Sequence, residues 1–211
     1  ALRFIAISDY QRQGFPDLQF VATVPNAVEV DKIPFSVDKD AYLLFLGRIH
    51  PDKGTHEAIE AARLAGLPLV IAGVVHDEDY HRRLVEPFVD GTSVSYVGPV
   101  GPAERDRLLG GAVALLHLIG FDEPFGLSVV EAMLKDTPVI AYPRGSMPEL
   151  VDVGVTGFLV TDPVAAAAAV RSAYDLDRTA CRDRAMLRFS ADRMVDDYLA
   201  LFAGIVAQAR P

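Results

Sequence analysis

Six short apolar runs, at 42–46, 69–72, 94–97, 113–116, 138–141 and 157–160, constrain this chain more than any other feature, because each precedes a longer stretch of helical pattern. Their starts lie 27, 25, 19, 25 and 19 residues apart, the length of a strand plus a helix that carries the chain back across a sheet. Runs that stay apolar instead of alternating belong to strands covered on both faces. An α/β fold with a parallel sheet flanked by helices is therefore expected. The helical patterns fall at 56–65, 78–87, 103–109, 127–134, 164–174 and 191–207. In the first, Ala58, Ile59, Ala62, Leu64 and Ala65 form one stripe, and Gly66-Leu67-Pro68 stops it. The fourth is apolar almost all round, which predicts a helix buried against the sheet.

Residues 1–38 break the rhythm: strand-like 4–7 and 20–24 lead into the turn-like Pro25-Asn26-Ala27-Val28. The pattern at 191–207 follows the last strand–helix unit and has no strand behind it. Both read as parts of another layer or domain. With 211 residues, 51% of them hydrophobic, the chain can bury a real core and is not disordered. A net charge of −9 argues against the broad basic surface of a nucleic-acid binder, so no nucleic-acid partner is expected. A local cationic pocket remains compatible with that charge. Cys181 is the only cysteine, which excludes a disulfide framework and a Cys-based zinc site and suits a reducing compartment. No apolar stretch approaches the roughly 20 residues of a bilayer span, and the start lacks the pattern of a signal peptide. A cytoplasmic location is expected. The chain opens on Ala1 instead of Met, as a piece of a longer protein would.

Two segments carry the chemistry. Gly47-Arg48-Ile49-His50-Pro51-Asp52-Lys53-Gly54 follows the first of the six runs, and ligands of open α/β sheets bind at the carboxyl ends of strands. Gly47 and Gly54 allow close backbone approach, and Arg48 and Lys53 match the charge of a diphosphate, Arg as a fork and Lys as a point charge. Neither a Walker A loop nor a Gly-x-Gly-x-x-Gly fingerprint occurs. The bland alternative is a solvated turn. The second segment is Phe121-Asp122-Glu123-Pro124-Phe125-Gly126-Leu127-Ser128-Val129-Val130-Glu131. A helix starting near Gly126 offers free N–H groups from Phe125 to Ser128 to an anion. Glu131 is out of place on a buried helix unless something pairs with it, and a sugar diol is a good partner. Glu123 is one loop away from it. Against this stand a salt bridge from Glu131 to a core cation and a Glu123 that only favours the helix start. A glycosidase pair is disfavoured by the two cations beside it. His76 and His81, flanking Asp77 and Asp79, fit no common metal spacing and read as a solvated helix start. His117, within an apolar run, reads as a core residue.

Together these residues resemble the C-terminal half of a retaining glycosyltransferase of the GT-B fold, family GT4, the glycosyl transferases group 1. The family's Glu-x7-Glu signature stands as Glu123 and Glu131 around Pro-Phe-Gly-Leu, and its Gly-Arg…Lys-Gly loop as Gly47-Arg48 and Lys53-Gly54. Pro25-Asn26-Ala27-Val28, Glu131-Ala132-Met133, Thr137-Pro138-Val139-Ile140-Ala141 and Gly154-Val155-Thr156-Gly157-Phe158-Leu159-Val160 follow in the family's order. The resemblance implies a Rossmann-like sheet and a UDP-, GDP- or ADP-sugar donor. Arg48, Lys53 and Glu123 would be the catalytic residues, with the two cations on the diphosphate and Glu123 on donor-sugar hydroxyls. Amides of Phe125, Gly126 and Leu127 would meet the distal phosphate and sugar, Glu131 the ribose, and Val100 the base, with Arg105 nearby and Gly47 in the donor site. Transfer would be front-face with retention, with no metal and no cofactor.

The resemblance also implies three segments: 1–25 a remnant of an N-terminal domain and linker, 26–189 the nucleotide-sugar-binding domain, and 190–211 a helix crossing to the missing domain. The chain alone is then expected to bind donor but to transfer little, as an incomplete catalytic unit, because both walls of a cleft are needed to orient two substrates. Peripheral membrane attachment is an expectation for the full-length enzyme only. Asp136 and Ala27 stand where the family has glycine. Two other readings stay open: a nucleotide-sugar epimerase or phosphorylase on the same fold, and a stand-alone nucleotide-binding module that self-associates through strand edges in 1–24.

Overall fold

A computed structural model describes residues 2–29 and 40–209. Residues 1, 30–39 and 210–211, which fall within the three expected segments, lie outside the described residues. The chain runs β1 (Phe4–Ala6), α1 (Asp9–Gly14), β2 (Phe20–Thr23), β3 (Leu43–Leu46), α2 (Thr55–Ala65), β4 (Leu69–Ala72), α3 (Glu78–Leu84), β5 (Val94–Gly98), α4 (Pro102–Gly111), β6 (Ala114–His117), α5 (Leu127–Leu134), β7 (Val139–Ala141), α6 (Met147–Leu150), β8 (Gly157–Leu159), α7 (Pro163–Tyr174), α8 (Arg178–Phe189) and α9 (Ala191–Ala209). Six strands form one sheet in the order β5-β4-β3-β6-β7-β8, every pair parallel. The order reverses between β3 and β6, which is where an open sheet of this kind leaves a crevice at its carboxyl edge.

Both faces of the sheet are covered, as the continuous apolar runs require. Along β3, Leu43 and Phe45 point into a core with Ile59 of α2 and Val170 of α7, while Leu44 points into a second core with Leu108, Val130, Met133 and Phe189. This two-residue period buried on both sides is the physical cause of the Leu43-Leu44-Phe45-Leu46 run. Gly66 closes α2 in the left-handed conformation, φ 70°, with its amide on the carbonyls of Ala62 and Arg63, where the sequence predicts a stop.

Several boundaries move. The helix expected at 78–87 ends at Leu84 and is followed by a 3-10 turn at Glu86–Phe88. The strand expected at 113–116 is shifted to Ala114–His117. Helix α8 has no counterpart in the sequence reading: its buried stripe is only Cys181, Ala185 and Phe189, on an otherwise charged helix. Asp177 caps it by accepting from the amides of Thr179 and Ala180. Helix α1 is likewise new, capped by Ser8. Strands β1 and β2 form their own two-stranded parallel sheet, outside the main one. This unit is tied down by Glu149, which accepts from the amides of Asp9 (2.8 Å) and Tyr10 (2.6 Å). Ser8 Oγ donates to the Pro124 carbonyl (2.6 Å), and Arg193 donates to the Pro25 carbonyl (2.7 Å). Among the described residues no helix is long and apolar enough to cross a membrane.

Candidate functional site

Strand β3 ends at Leu46, and Gly47 and Arg48 leave the sheet at its carboxyl edge, followed by a 3-10 turn at Pro51–Lys53. Gly54 closes the turn at φ 68°, and a Cβ there would lie 1.9 Å from the Leu118 carbonyl oxygen, so the loop presses directly on the end of β6. At Gly47 the space beside the backbone is open, on the lining of the cleft described below. A Cβ there would meet no protein atom nearer than 3.8 Å, so protein packing alone does not demand glycine at that position.

The second segment leaves β6 and enters α5. Its carbonyls are accounted for: Ser146 N–H donates to Glu123 (2.9 Å), Ser146 Oγ to Phe125 (2.7 Å) and Ser8 Oγ to Pro124. Gly126 begins α5 at φ 99° with no side-chain cap, and its own carbonyl accepts from Val129 and Val130. A Cβ at Gly126 would strike Met147 Cε at 2.7 Å. Among the described residues, no protein acceptor takes the N–H of Phe125, Gly126, Leu127 or Ser128. An eight-residue helix thus presents its positive end uncapped.

The two segments face one cleft of about 790 Å³ at the strand-order reversal. Its lining includes Gly47, Arg48, Lys53, Val100, Arg105, Glu123, Phe125, Gly126, Leu127 and Glu131, every site residue expected from sequence. Lys53 Nζ lies 2.9 Å from Glu123 Oε2, each side chain 17% exposed, and over the Phe121 ring at 4.4 Å. Arg48 is exposed and makes no ion pair among the described residues. Arg105 Nη1 lies 2.9 Å from Glu131 Oε1. Burial pushes the Glu131 carboxyl above the ordinary carboxylate range, and the Arg105 guanidinium opposes that shift. The cation partner of Glu131 that the bland reading required is therefore present, at the mouth of a cleft instead of in a sealed core.

Several cleft residues, His117, Ile7 and Asn26 among them, were not singled out as ligand contacts from sequence. His117, read as core, is indeed buried, but it ends β6 on the cleft wall and its Nε2 has no hydrogen-bond partner among the described residues. Burial, and secondarily the charge of Lys53, push its pKa down to about 3, so the imidazole is neutral at physiological pH. Ile7 and Asn26 reach the cleft from the β1–β2 unit, which no local pattern could reveal. His76 and His81 are not on this cleft, and among the described residues no group of three or more His, Cys, Asp or Glu is disposed to hold a metal.

The model of the family described as glycosyl transferases group 1 matches residues 29–186. The chain belongs to that family. This group 1 glycosyl transferase chain is 32% identical over 200 aligned residues to a glycogen synthase of Mycobacterium tuberculosis, which covers 87% of this chain and 46% of the relative. It is 29% identical to a D-inositol 3-phosphate glycosyltransferase of Mycobacterium marinum, over 72% of this chain and 32% of that protein. The chain thus spans less than half the length of these relatives. AviGT4, a glycosyltransferase involved in Avilamycin A biosynthesis, superposes with a TM-score of 0.84 at 26% identity, over 97% of this chain and 64% of that one. Anabaena HepE, solved in complex with UDP and glucose, shares the fold with a TM-score of 0.81 at 22% identity, over 95% and 62% of the two chains.

Proposed function

We propose that this chain is the donor half of a retaining, GT4-type glycosyltransferase and binds a nucleotide-diphospho-sugar in the cleft between β3 and β6. One observation carries the reading: Arg48, Lys53, the uncapped amides that open α5, and two glutamates border the same cleft. Cations and free amides favour a diphosphate, each charge-assisted contact contributing on the order of 1.5–3 kcal/mol. The carboxylates of Glu123 and Glu131 accept hydroxyl protons, from the donor sugar and from the ribose respectively. Val100, which lines the cleft together with Pro99 and Gly73, would meet the base. In the reaction Arg48 and Lys53 stabilise the diphosphate as it leaves, and attack from the same face retains the anomeric configuration, with no metal required. That HepE has been solved with UDP and with UDP-glucose supports a nucleotide-sugar donor.

On this reading the described residues build one wall of a cleft between two substrates. The chain alone binds donor and transfers little sugar, because the acceptor must be oriented and water excluded by a second wall. The reducing compartment that suits Cys181 is the cytoplasm.

Calorimetric titration with UDP, GDP and ADP tests the reading. One nucleoside diphosphate binds the wild type best; Arg48→Ala weakens all three by about tenfold, and Glu131→Ala weakens the preferred one while leaving the order unchanged. Absence of binding to any of the three, or an Arg48→Ala variant that binds like the wild type, ends the proposal. Robust transfer by the isolated 211-residue chain would contradict its half-site character.

A further inference from the structure

Resting on the assignment of Glu131 to a ribose, we infer that Arg105 is a positioning residue: it holds the Glu131 carboxylate in one orientation and leaves its second oxygen for a ribose hydroxyl, so that it sets the preference for ribose without touching the nucleotide.

Arg105 lies in the first turns of α4 and Glu131 in the second turn of α5. One arm of the guanidinium makes the contact, Arg105 Nη1 lying 2.9 Å from Glu131 Oε1 as an ion pair. Glu131 Oε2 has no partner among the described residues, so the acceptor a hydroxyl needs is still open. The other arm of the guanidinium, Nη2, is 3.5 Å from Asp106 Oδ1, and Asp106 Oδ2 is 2.9 Å from the buried Lys135 Nζ. Glu131, Arg105, Asp106 and Lys135 thus alternate in sign across two helices. The two arms of one guanidinium stand beside two carboxylates at once, a placement that the single ammonium of a lysine does not reproduce. Arg105 Nε is closed off from solvent and has no acceptor among the described residues, while Nη1 and Nη2 both lie beside protein carboxylates.

The same contact bears on the charge of Glu131. From α4, Arg105 favours the carboxylate and Asp106 opposes it; from its own helix Lys135 favours it; Arg182 of α8 lies near Lys135. Across the cleft stand Arg48, Lys53 and Glu123. Burial is the largest influence and acts against ionisation, so removing Arg105 leaves a carboxyl that takes up a proton more readily.

The test uses the full chain and the variants Arg105→Met, Arg105→Lys and Glu131→Gln. Titrations with UDP, GDP and ADP beside their 2′-deoxy counterparts are run from pH 6 to pH 8. In the wild type the ribose form binds about tenfold tighter than the deoxy form, with little change over this range. In Arg105→Met discrimination is weaker than in the wild type and grows as the pH rises across this range; Arg105→Lys is intermediate, and Glu131→Gln discriminates at no pH. A purely structural role for Arg105 would lower stability without coupling pH to the ribose hydroxyl. A second arm needs no nucleotide: in the unliganded chain the Glu131 carboxyl, followed by carbon-13 NMR, titrates at higher pH in Arg105→Met than in the wild type. If no nucleoside diphosphate binds the wild type, the donor-site reading fails while this arm still judges the pairing. An unchanged Glu131 titration, or an Arg105→Met variant with wild-type discrimination at every pH, overturns the inference.

Discussion

Lys53 Nζ is 2.9 Å from Glu123 Oε2, although the two residues stand 70 positions apart in sequence. The contact exists because the turn after β3 presses on the end of β6, and it joins the two groups assigned to different parts of one donor. In the unliganded chain each neutralises the other. On the proposed donor-site reading, a diphosphate arriving alone competes with Glu123 for Lys53, whereas a nucleotide sugar brings hydroxyls that occupy Glu123.

Glu123→Gln therefore separates the two ligands. Removing the carboxylate frees Lys53 and takes a negative charge from beside the phosphate site, so UDP binds roughly fivefold tighter, about 1 kcal/mol for a partly exposed pair. The sugar nucleotide loses a charge-assisted hydrogen bond worth about 1.5–3 kcal/mol, so its affinity relative to UDP falls about tenfold or more. Parallel calorimetric titrations check this. A variant in which both ligands weaken equally would mean that Glu123 does not meet the sugar.

His117 gives the chain a specific acid sensitivity. Its folded pKa is pushed down to about 3, below the ordinary histidine value, because burial disfavours the imidazolium. Between those two values the unfolded chain binds a proton that the folded chain does not. Stability from this residue is complete above about pH 6.5 and is lost as pH falls toward 3. His117→Asn removes the titration, so the stability difference between wild type and variant shrinks by at most about 1.4 kcal/mol per pH unit below pH 6.5. Urea unfolding at pH 7.5, 6 and 5 measures it; a difference that stays constant over this range rules the account out.

The sheet was legible because burial on both faces writes itself into sequence as unbroken apolar runs, of which β3 and β6 are the clearest. Helix α8 was not, since Cys181 and Ala185 are too small to mark a stripe between charged residues and only Phe189 stands out. Helix α1 has six residues and no buried ones, so it carries no periodic signal. At the site, Arg48, Lys53, Glu123 and Glu131 were visible as charges where loops or apolar helix gave no local reason for them. Their pairing was not visible. Lys53 with Glu123 and Arg105 with Glu131 depend on which strands and helices become neighbours, which is decided by packing far along the chain. His117 shows the limit in the other direction: an apolar neighbourhood correctly implies burial, but burial and cleft lining coincide at the end of β6.

Asp136 keeps a conformation that its sequence neighbours would assign to glycine. It follows α5 at φ 57° and is buried; its amide donates to Met133 O and that of Thr137 to Ala132 O, the pattern of a left-handed helix stop. Asp136→Gly and Asp136→Ala both delete the carboxylate, but only glycine relieves the left-handed strain. The glycine variant is expected to be more stable than the alanine variant by about 1 kcal/mol. Thermal unfolding of the pair tests this, and equal melting temperatures would show that the stop does not hold the residue left-handed in solution. At Ala27, the other position where the family has glycine, the backbone is not left-handed, so no comparable gain is expected there.

Glu149 is the hinge pin between the β1–β2 unit and the main sheet. Its two carboxylate oxygens accept separately from the amides of Asp9 and Tyr10, the first residues of α1, where a helix start has free donors and favours negative charge. The same residue's backbone carbonyl accepts from Arg188 of α8, so α6 is held on one side while its side chain holds α1 on the other. A two-stranded sheet is marginal by itself, and without this anchor β1 and β2 rest on the Ser8 and Arg193 contacts, the Tyr10–Asp122 hydrogen bond, the buried side chains of Ala6 and Val24 and the half-buried Ile7. Glu149→Ala should leave the six-stranded sheet folded and shift the global melting temperature little, while residues 2–24 exchange amide hydrogens at least tenfold faster, about 1.4 kcal/mol of lost local protection. Because Ile7 and Asn26 line the cleft from this unit, nucleotide affinity falls modestly in the same variant. Glu149→Gln, which keeps one carbonyl acceptor, lies between the two. Hydrogen exchange in residues 2–24 that is unchanged in Glu149→Ala would mean that the unit is held by its apolar contacts and not by the capped start of α1.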